Sequence, residues 1–262
     1  MLALIAGQGR LPAVLVDALA DLPYIATPEG SDPDFLVPDR RFRIEHLGTL
    51  INELKALGVT EVCFAGGVAR PSIDPAQIDA ATMPLMPRMA DALQRGDDGA
   101  LRELLAIFEE AGFTVRPANA YSSALLPVAG TFTTRRPDEQ HKKDAARAAE
   151  VLAALGPLDV GQGCVVHQGQ VLAIEGRFGT DWMLASLQHR PDGQGGLFYK
   201  AAKPGQDRRI DLPLVGVGTI AAASKARLDG VVVEEDGVMV LDLAAVERAA
   251  DELGLFFQVR RP

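Results

Sequence analysis

Apolar runs alternate with amphipathic segments along the first half of the chain. Leu2 to Ala6 is a short apolar run typical of a buried strand, and Leu11 to Leu22 carries apolar residues at helical spacing. Leu47 to Leu57 repeats the helical pattern and is closed by Gly58, and Val59 to Ala65 again has the pattern of a buried strand. This alternation of strand and helix predicts a parallel sheet covered by helices.

The pattern then becomes mainly helical. Pro75 to Ala111 is helical with a break at residues 96–99, and Thr114 to Ala118 predicts a further strand. From Thr131 to Pro137 the chain is polar and β-branched, so we place a domain junction near residue 130. Two domains are therefore predicted, over residues 1–130 and 131–262.

The second half mixes helices with paired strands. Asp138 to Leu155 predicts a helix with an apolar face of alanine and leucine. Two further pairs of β-rich segments are each separated by a short turn, which predicts two hairpins. They are Cys164 to His167 with Gln170 to Ile174, and Val231 to Glu234 with Val238 to Leu241. The second domain is therefore predicted to be a mixed α+β domain.

Composition and charge narrow the class of protein. The 262 residues are 48% hydrophobic, which is enough for one sizeable core or two small ones. The net charge of -9 has the wrong sign for a general nucleic-acid binder, so no nucleic-acid partner is expected. Charges or breakers interrupt every apolar run before the roughly 18 residues that span a bilayer, so we expect any membrane contact to be peripheral.

The cysteines and the N-terminus indicate a cytoplasmic protein. Cys63 and Cys164 lie inside apolar, strand-like runs, where a small buried side chain is the ordinary role of cysteine. The first apolar run stops at Gly7 and has no cationic segment before it, unlike a secretory signal peptide. We therefore expect a cytoplasmic location and buried, unreactive thiols.

A glycine-rich turn, Gly7-Gln8-Gly9, follows the first predicted strand. Glycines at such a turn let backbone amides and a helix N-terminus approach a phosphate. Pro12 stands where a dinucleotide fingerprint has its third glycine, and no clear second strand with an acidic end follows about 20 residues later. A phosphate contact and a plain turn both remain open, and nicotinamide binding is a further alternative.

Two other polar positions in the first half have an ordinary and a functional interpretation. Arg70 follows the glycine turn at the end of the second buried strand, where its planar guanidinium could hold a phosphate or a carboxylate. A surface arginine without a ligand is the alternative. Asp97 and Asp98 lie where a helix begins, so capping of free amides explains them without any chemistry.

Common hydrolase patterns are missing from the sequence. The four histidines have no metal-ligand spacing, and no serine lies in a Gly-x-Ser-x-Gly turn. These absences argue against a zinc hydrolase and against a serine triad.

The second half concentrates acidic and basic residues in two places. Glu175 ends an apolar strand, and Gly179-Thr180-Asp181 then begins a helix, so a carboxylate, a hydroxyl and free amides lie close together. Lys203 to Pro213 holds two acids, three cations and two prolines. Carboxylates suit Mg²⁺, which shares its ligands with substrate phosphates, and the cations could neutralise the remaining charge. An ordinary helix cap and a solvated loop are the alternatives.

The order of these motifs resembles the LpxI family of UDP-2,3-diacylglucosamine pyrophosphatases. In the first half the matching motifs are Leu4-Ile5-Ala6-Gly7-Gln8-Gly9, Leu11-Pro12, Cys63-Phe64-Ala65-Gly66, Val68, Arg70-Pro71, Gly96-Asp97-Asp98 and Leu101-Arg102. In the second half they are Asp159-Val160-Gly161-Gln162-Gly163, Val171-Leu172-Ala173-Ile174-Glu175, Gly179-Thr180-Asp181, Lys203-Pro204, Asp207, Arg209, Asp211-Leu212-Pro213 and Gly216. Each motif is weak alone, but their order along almost the whole chain is specific.

The resemblance implies a fold and an activity. The fold is α/β, with an N-terminal Rossmann-like parallel sheet, a C-terminal mixed α+β domain, and the lipid-nucleotide substrate held between the two. The activity is hydrolysis of the pyrophosphate of UDP-2,3-diacylglucosamine to UMP and 2,3-diacylglucosamine 1-phosphate, in the lipid A biosynthesis of Gram-negative bacteria. Mg²⁺, or Mn²⁺ in its place, is the cofactor that the resemblance implies.

The resemblance also implies a role for one residue, because Asp211 matches the family position most closely tied to catalysis. From the two acid-bearing motifs of the second half we expect Asp181 or Glu175 to help Asp211 to hold the metal. Lys203 and Arg209 are expected to stabilise phosphoryl charge. The expected substrate contacts are Gly7, Gly9, Arg70, Asp97, Asp98, Thr180 and Asp207. The expected partners are the lipid-linked UDP-sugar and the cytoplasmic face of the inner membrane, and a homodimer remains open.

The chain departs from the family pattern at two positions, and two other functions stay open. Gly67 stands where many members have asparagine, and Phe178 stands where many have glutamate. A nicotinamide-dependent oxidoreductase is one rival, suggested by the Gly7-Gln8-Gly9 turn and the α/β first half. The other is a non-catalytic nucleotide or lipid sensor, against which the retained acids of the second half argue.

Overall fold

The computed structural model describes residues 1–68, 72–94, 97–191 and 193–262, and at residues 93, 94, 97 and 98 it describes the backbone alone. Contacts divide the chain into two compact units. The first comprises Met1–Ser122 together with Asp207–Asp211, and the second comprises Ser123–Gln206 together with Leu212–Pro262. Each unit has its own sheet and its own hydrophobic core.

The first unit is a parallel α/β sheet. Its elements are β1 (Leu2–Ala6), α1 (Leu11–Ala18), β2 (Tyr24–Pro28), β3 (Arg40–Phe42), α2 (Leu47–Ala56), β4 (Glu61–Ala65), α3 (Met86–Gln94), α4 (Asp97–Glu110) and β5 (Thr114–Val115). The strand order is β3-β2-β1-β4-β5, with every pair parallel. The order reverses between β1 and β4, and open sheets bind ligands at the carboxyl ends of strands at such a switch point.

The core of the first unit explains why these segments fold. β1 and β4 are mostly buried, as their apolar runs predict. α2 buries Leu47, Leu50, Ile51 and Leu54, which recur at the spacing of one helix face. The predicted parallel sheet is therefore confirmed.

Two predictions for the first unit are wrong in detail. The first helix ends at Ala18 and not at Leu22, because Leu19 is already extended and Pro23 follows shortly after. The sequence also did not reveal β2, because Pro23 just before this strand and Pro28 at its end are typical of loops. Glu29 follows β2 directly, so an acidic residue does stand at the end of a second strand.

The second unit is built around a mixed sheet. Its elements are β6 (Gly130–Thr131), α5 (Glu139–Leu155), β7 (Gly163–His167), β8 (Gln170–Ile174), α6 (Gly179–Ser186), β9 (Leu197–Lys200), β10 (Leu214–Val215), α7 (Val217–Lys225), β11 (Gly230–Glu234), β12 (Met239–Val240), α8 (Leu243–Glu252) and β13 (Phe256–Arg260). The six-stranded sheet has the order β6-β13-β11-β9-β7-β8, in which β9, β11 and β13 are parallel and the outer pairs antiparallel. The predicted mixed α+β class is confirmed.

One predicted hairpin forms and the other does not. β7 and β8 pair antiparallel, as predicted. β11, in contrast, lies between β9 and β13 with parallel pairing on both sides, and β12 pairs in parallel with β10. The hairpin predicted over Val231 to Leu241 is therefore wrong, because the continuous valine run of β11 is that of a central parallel strand buried on both faces.

Two further expectations concern the cysteines and membrane spans. Cys63 and Cys164 are unpaired and buried, and burial raises the pKa of each thiol to about 12, so both stay protonated near neutral pH. The predicted structural role of the cysteines is confirmed. Over the described ranges, no helix combines the length and the hydropathy that crossing a bilayer requires.

Candidate functional site

The first glycine turn lies at the switch point of the first unit. The Gly7 N–H donates to the Ala65 carbonyl at 2.7 Å, and Gln8 and Gly67 exchange two backbone hydrogen bonds at 2.7 and 2.9 Å. A Cβ atom on Gly7 would lie 2.4 Å from the carbonyl oxygen of Gly67. Gly66 has φ +95°, and a Cβ atom on it would lie 2.5 Å from the carbonyl oxygen of Gly7. The turns after β1 and β4 therefore meet backbone to backbone, which only glycine allows.

The same turn leads into the start of α1. Gly9 has φ +92°, and nothing would lie within 4 Å of a Cβ atom on it, so this residue faces open space. Arg10 precedes the helix without a side-chain cap bond, and because Pro12 has no N–H, Leu11 and Ala13 carry the first-turn amides that could face an anion. The Arg10 guanidinium lies 5.9 Å from the centre of the Phe35 ring. This corner has the geometry and partial charge for a phosphate contact.

The segment Asp207–Asp211 groups with the first unit, where Ile210 packs against the core. The carboxylate of Asp207 accepts from the Arg209 backbone N–H at 3.0 Å and from its guanidinium at 2.7 and 2.9 Å. Arg209 also pairs with Glu109. These hydrogen bonds hold the pKa of Asp207 below its usual value, so Asp207 is a carboxylate anchored to Arg209.

Charged side chains meet in the interior of the second unit. Glu175 and Lys200 are only 8% and 6% exposed. The Lys200 ammonium lies 3.4 Å from both carboxylate oxygens of Glu175 and donates to the Thr180 hydroxyl at 2.6 Å. Thr180 donates in turn to Glu175 Oε1 at 2.7 Å. We call Glu175, Thr180 and Lys200 the buried charge network.

Glycines in residues 159–163 make room for this network. Gly161 has φ +44°, and a Cβ atom on it would lie 1.9 Å from the Glu175 carbonyl oxygen. A Cβ atom on Gly163 would lie 3.0 Å from Glu175 Oε2 and 2.6 Å from the Phe198 ring. Between them, the Gln162 N–H donates to Glu175 Oε2 at 3.1 Å. The Asp-Val-Gly-Gln-Gly motif therefore packs directly on Glu175.

The Lys203-Pro204 motif meets the same turn. Lys203 forms an ion pair with Asp159. Pro204 packs against Gly156, because a Cβ atom on Gly156 would lie only 2.4 Å from the Cδ atom of Pro204. Three motifs that are far apart along the chain, at residues 159–163, 175–181 and 203–204, thus come together in the second unit.

The start of α6 presents the remaining acid. Asp181 lies in the first turn of the helix and is exposed, as is Trp182 after it. The Trp182 ring contacts that of Phe178, with centroids 5.3 Å apart. Because Thr180 turns inward to the buried charge network, Asp181 is the acid of this motif that faces solvent.

The acids of each unit can be compared with what a metal ion needs. Within the part of the chain that the structure describes, no three His, Cys, Asp or Glu side chains cluster as a ready-made metal site. Mg²⁺ usually binds through one or two carboxylates, with substrate phosphates and waters completing its shell. Asp181 in the second unit is an exposed carboxylate and Asp211 in the first unit is a half-buried one, and each by itself is a ligand of that kind. A metal on Glu175 would have to displace the Lys200 ammonium.

Comparison with known proteins covers both halves of the chain. Family models of the LpxI N-terminal domain and the LpxI C-terminal domain match residues 1–125 and 128–258. A protein of Caulobacter vibrioides, named UDP-2,3-diacylglucosamine pyrophosphatase LpxI, is 36% identical over 267 residues, which cover 97% of this chain and 95% of that protein. The chain belongs to the LpxI family. The resemblance inferred from its motifs is confirmed.

The predicted site residues of this LpxI family member fall into three groups. Glu175, Thr180, Asp181 and Lys203 belong to the second unit, and Gly7, Gly9, Asp207, Arg209 and Asp211 belong to the first. Arg70 lies outside the described residues, and Asp97 and Asp98 are described by their backbone alone, which begins α4 as predicted. The roles assigned to all these residues stay predictions.

Lys200 is the charged residue of the site that sequence reasoning missed. It is the last residue of β9, after the buried Leu197, Phe198 and Tyr199. A lysine that ends a fully apolar strand shortly before a family motif was the available signal. Because β9 itself was not predicted from the sequence, Lys200 was not identified as a strand-end residue.

Proposed function

We propose that this LpxI family member hydrolyses the pyrophosphate of UDP-2,3-diacylglucosamine to UMP and 2,3-diacylglucosamine 1-phosphate. The observation that carries the proposal is the match to the Caulobacter vibrioides relative along nearly the whole of both chains. Hydrolysis adds one water across the P–O–P bridge, so that each product keeps one phosphate. Lipid A biosynthesis is the pathway to which this reaction belongs.

Asp211 is the proposed catalytic carboxylate. It lies in the Asp-Leu-Pro motif, at the end of the segment anchored to the first unit. Mg²⁺, or Mn²⁺, is the proposed cofactor, and when bound it would neutralise phosphate charge and lower the pKa of a water. Asp211 is its first proposed ligand and Asp181 the second, with Glu175 as the alternative to Asp181.

Lys203 and Arg209 are the proposed cations that stabilise the phosphoryl oxygens. Lys203 keeps two of its three ammonium donors beyond the bond to Asp159. Arg209 has five N–H donors, of which its bonds to Asp207 and Glu109 occupy three. Both side chains are thus held in place by carboxylates and still have donors for a substrate. Gly7, Gly9, Arg70, Asp97, Asp98, Thr180 and Asp207 are the proposed substrate contacts.

The proposed contact with the membrane follows from the nature of the substrate. Two acyl chains keep UDP-2,3-diacylglucosamine in a bilayer, so we propose peripheral contact with the cytoplasmic face of the inner membrane of a Gram-negative bacterium. Flotation of the purified protein with vesicles, with and without the lipid substrate, measures that contact.

The decisive experiment measures UMP release from UDP-2,3-diacylglucosamine with Mg²⁺, with Mn²⁺ and with a chelator. Release that requires the metal supports the proposal, and binding without any release supports the sensor. Saturable NADH binding without UMP release would support the oxidoreductase.

Substitution of Asp211 tests its role. Asp211→Ala should abolish turnover and leave substrate binding largely intact, because the remaining contacts still hold the nucleotide. Asp17→Ala, at an exposed position of α1, is the matched control and should keep full activity. Near-normal hydrolysis by Asp211→Ala would overturn the assignment.

A further inference from the structure

Lys200 is a buried cation at the end of a central strand. β9 pairs with β11 on one side and with β7 on the other, and the register places Lys200 opposite Gly163. A buried ammonium is costly unless it is paired and hydrogen-bonded. Glu175 and Thr180 supply both kinds of partner, at 3.4 and 2.6 Å. The position of Lys200 is therefore determined by the sheet and by these two side chains.

The network holds the first turn of α6. A threonine at the start of a helix commonly caps free amides, but here the residue before α6 is Phe178, which makes no side-chain cap bond. The Thr180 hydroxyl instead accepts from Lys200 and donates to Glu175. Both hydrogen bonds run from the helix to residues at strand ends, so they tie this turn to the sheet.

We propose that Lys200 is a positioning residue that acts through Thr180. By holding the Thr180 hydroxyl, Lys200 fixes the first turn of α6 and with it the carboxylate of Asp181, the next residue. In this arrangement Glu175 serves the ammonium of Lys200 and not a metal ion, and the Thr180 hydroxyl serves Lys200 and Glu175 in place of the direct substrate contact proposed above. The inference rests on the proposed function, in which Asp181 takes part in hydrolysis.

Substitution of a purely structural ion pair would affect stability and turnover differently from substitution of a positioning residue. Buried ion pairs can often be replaced by apolar groups of similar volume without loss of stability. A residue that orients a reacting group is different, because its loss lowers turnover in a protein that is still folded. Second-sphere residues of this kind typically contribute about 10-fold to 100-fold in activity or metal affinity.

The test uses Thr180, which can lose its hydroxyl with little change of shape. Thr180→Val should lower kcat by about 10-fold to 100-fold and leave KM unchanged. Thr180→Ser keeps the hydroxyl and should recover most of that loss. Lys200→Met should reduce kcat like Thr180→Val, whereas Lys142→Met, in an exposed pair with Glu139, is the control and should change nothing.

Trp182 provides a readout that needs no substrate. It is the only tryptophan in the chain and lies two residues after Thr180 in α6. In Thr180→Val its fluorescence anisotropy should fall and its quenching by acrylamide should rise, at temperatures well below the unfolding transition. Thr180→Ser should restore both signals.

The outcomes separate this inference from the proposed function. If Thr180→Val keeps its kcat and its Trp182 signals, or if Val and Ser lower kcat equally, Lys200 does not act through Thr180. If the unmodified protein releases no UMP, the proposed function fails, and the Trp182 signals still decide whether the network holds α6. Should Lys200→Met fail to fold, the two Thr180 variants decide alone.

Discussion

The two units hold their family motifs in different ways. In the first unit the turns after β1 and β4 meet backbone to backbone, and Gly7 and Gly66 leave no room for a side chain. In the second unit the motifs meet through charged side chains, with Glu175 and Lys200 both buried. Both arrangements use glycines that leave no room for a side chain, as at Gly161 in the second unit, and the second unit adds a buried ion pair between its motifs.

This difference determines which substitutions each unit tolerates. A single added methyl group forces two backbones apart in the first unit, because neither carbonyl can move like a flexible side chain. Loss of a single charge in the second unit leaves its partner buried without a counter-ion. Enlargement of these glycines should therefore damage the first unit, and neutralisation of the buried ion pair should damage the second.

Neutralising Glu175 should have the largest effect on stability. Glu175→Gln leaves the Lys200 ammonium buried without its carboxylate, and such a loss costs about 3 to 5 kcal/mol of unfolding free energy. Urea unfolding measures this loss of unfolding free energy.

The double variant Glu175→Gln, Lys200→Met removes both charges and should recover most of the loss. Glu139→Gln, in an exposed pair, should change stability by less than about 0.5 kcal/mol. Equal effects of Glu175→Gln and Glu139→Gln would contradict the comparison.

Enlarging Gly66 should have the next largest effect, now in the first unit. Gly66→Ala puts a Cβ atom 2.5 Å from the Gly7 carbonyl at a φ of +95°. Backbone strain and overpacking together should cost about 2 to 4 kcal/mol. The neighbouring Gly67→Ala is a close control, because its Cβ atom would meet nothing within 4 Å. If both variants unfold at the same urea concentration, the close approach of the two turns does not limit stability.

Much of the fold could be predicted because its signals are local. The apolar run Leu2–Ala6 became β1, and the β7–β8 hairpin follows from two short strands around a tight turn. β12 has only two residues, and its partner β10 lies more than 20 residues earlier, so no local pattern shows that pairing. Strand partners of this kind are selected by the packed sheet.

Prediction of the site from the sequence is likewise limited to features that are visible locally. Its glycines and acids could be identified by residue type, since turns need glycine and metals or phosphates need charge. Lys200 could not, because its partners follow from the strand register: Gly163 lies opposite Lys200, and the Gly163 carbonyl accepts the Glu175 N–H at 2.8 Å. Spacing along the chain does not contain that register.

The smallest predicted effect concerns pH and returns to the first unit, where one motif does carry a charge pair. Hydrogen bonds from Arg209 lower the pKa of Asp207. A lowered carboxyl pKa contributes stability that is fully present above the ordinary value of about 4 and is lost as the pH falls through the lowered value. The Arg209 side chain is 38% exposed, which limits the contribution to about 0.5 to 1 kcal/mol.

Asp207→Asn should therefore be slightly less stable than the unmodified chain at pH 7, and the difference should vanish in acid below the lowered pKa. Urea unfolding from pH 7 to pH 2.5 measures it, with Asp17→Asn as an exposed control on α1. A difference that stays constant over this range would assign the effect to packing. A loss as large as that of Glu175→Gln would instead make the Asp207–Arg209 pair as important for stability as the buried charge network, and the contrast between the motifs of the two units would no longer hold.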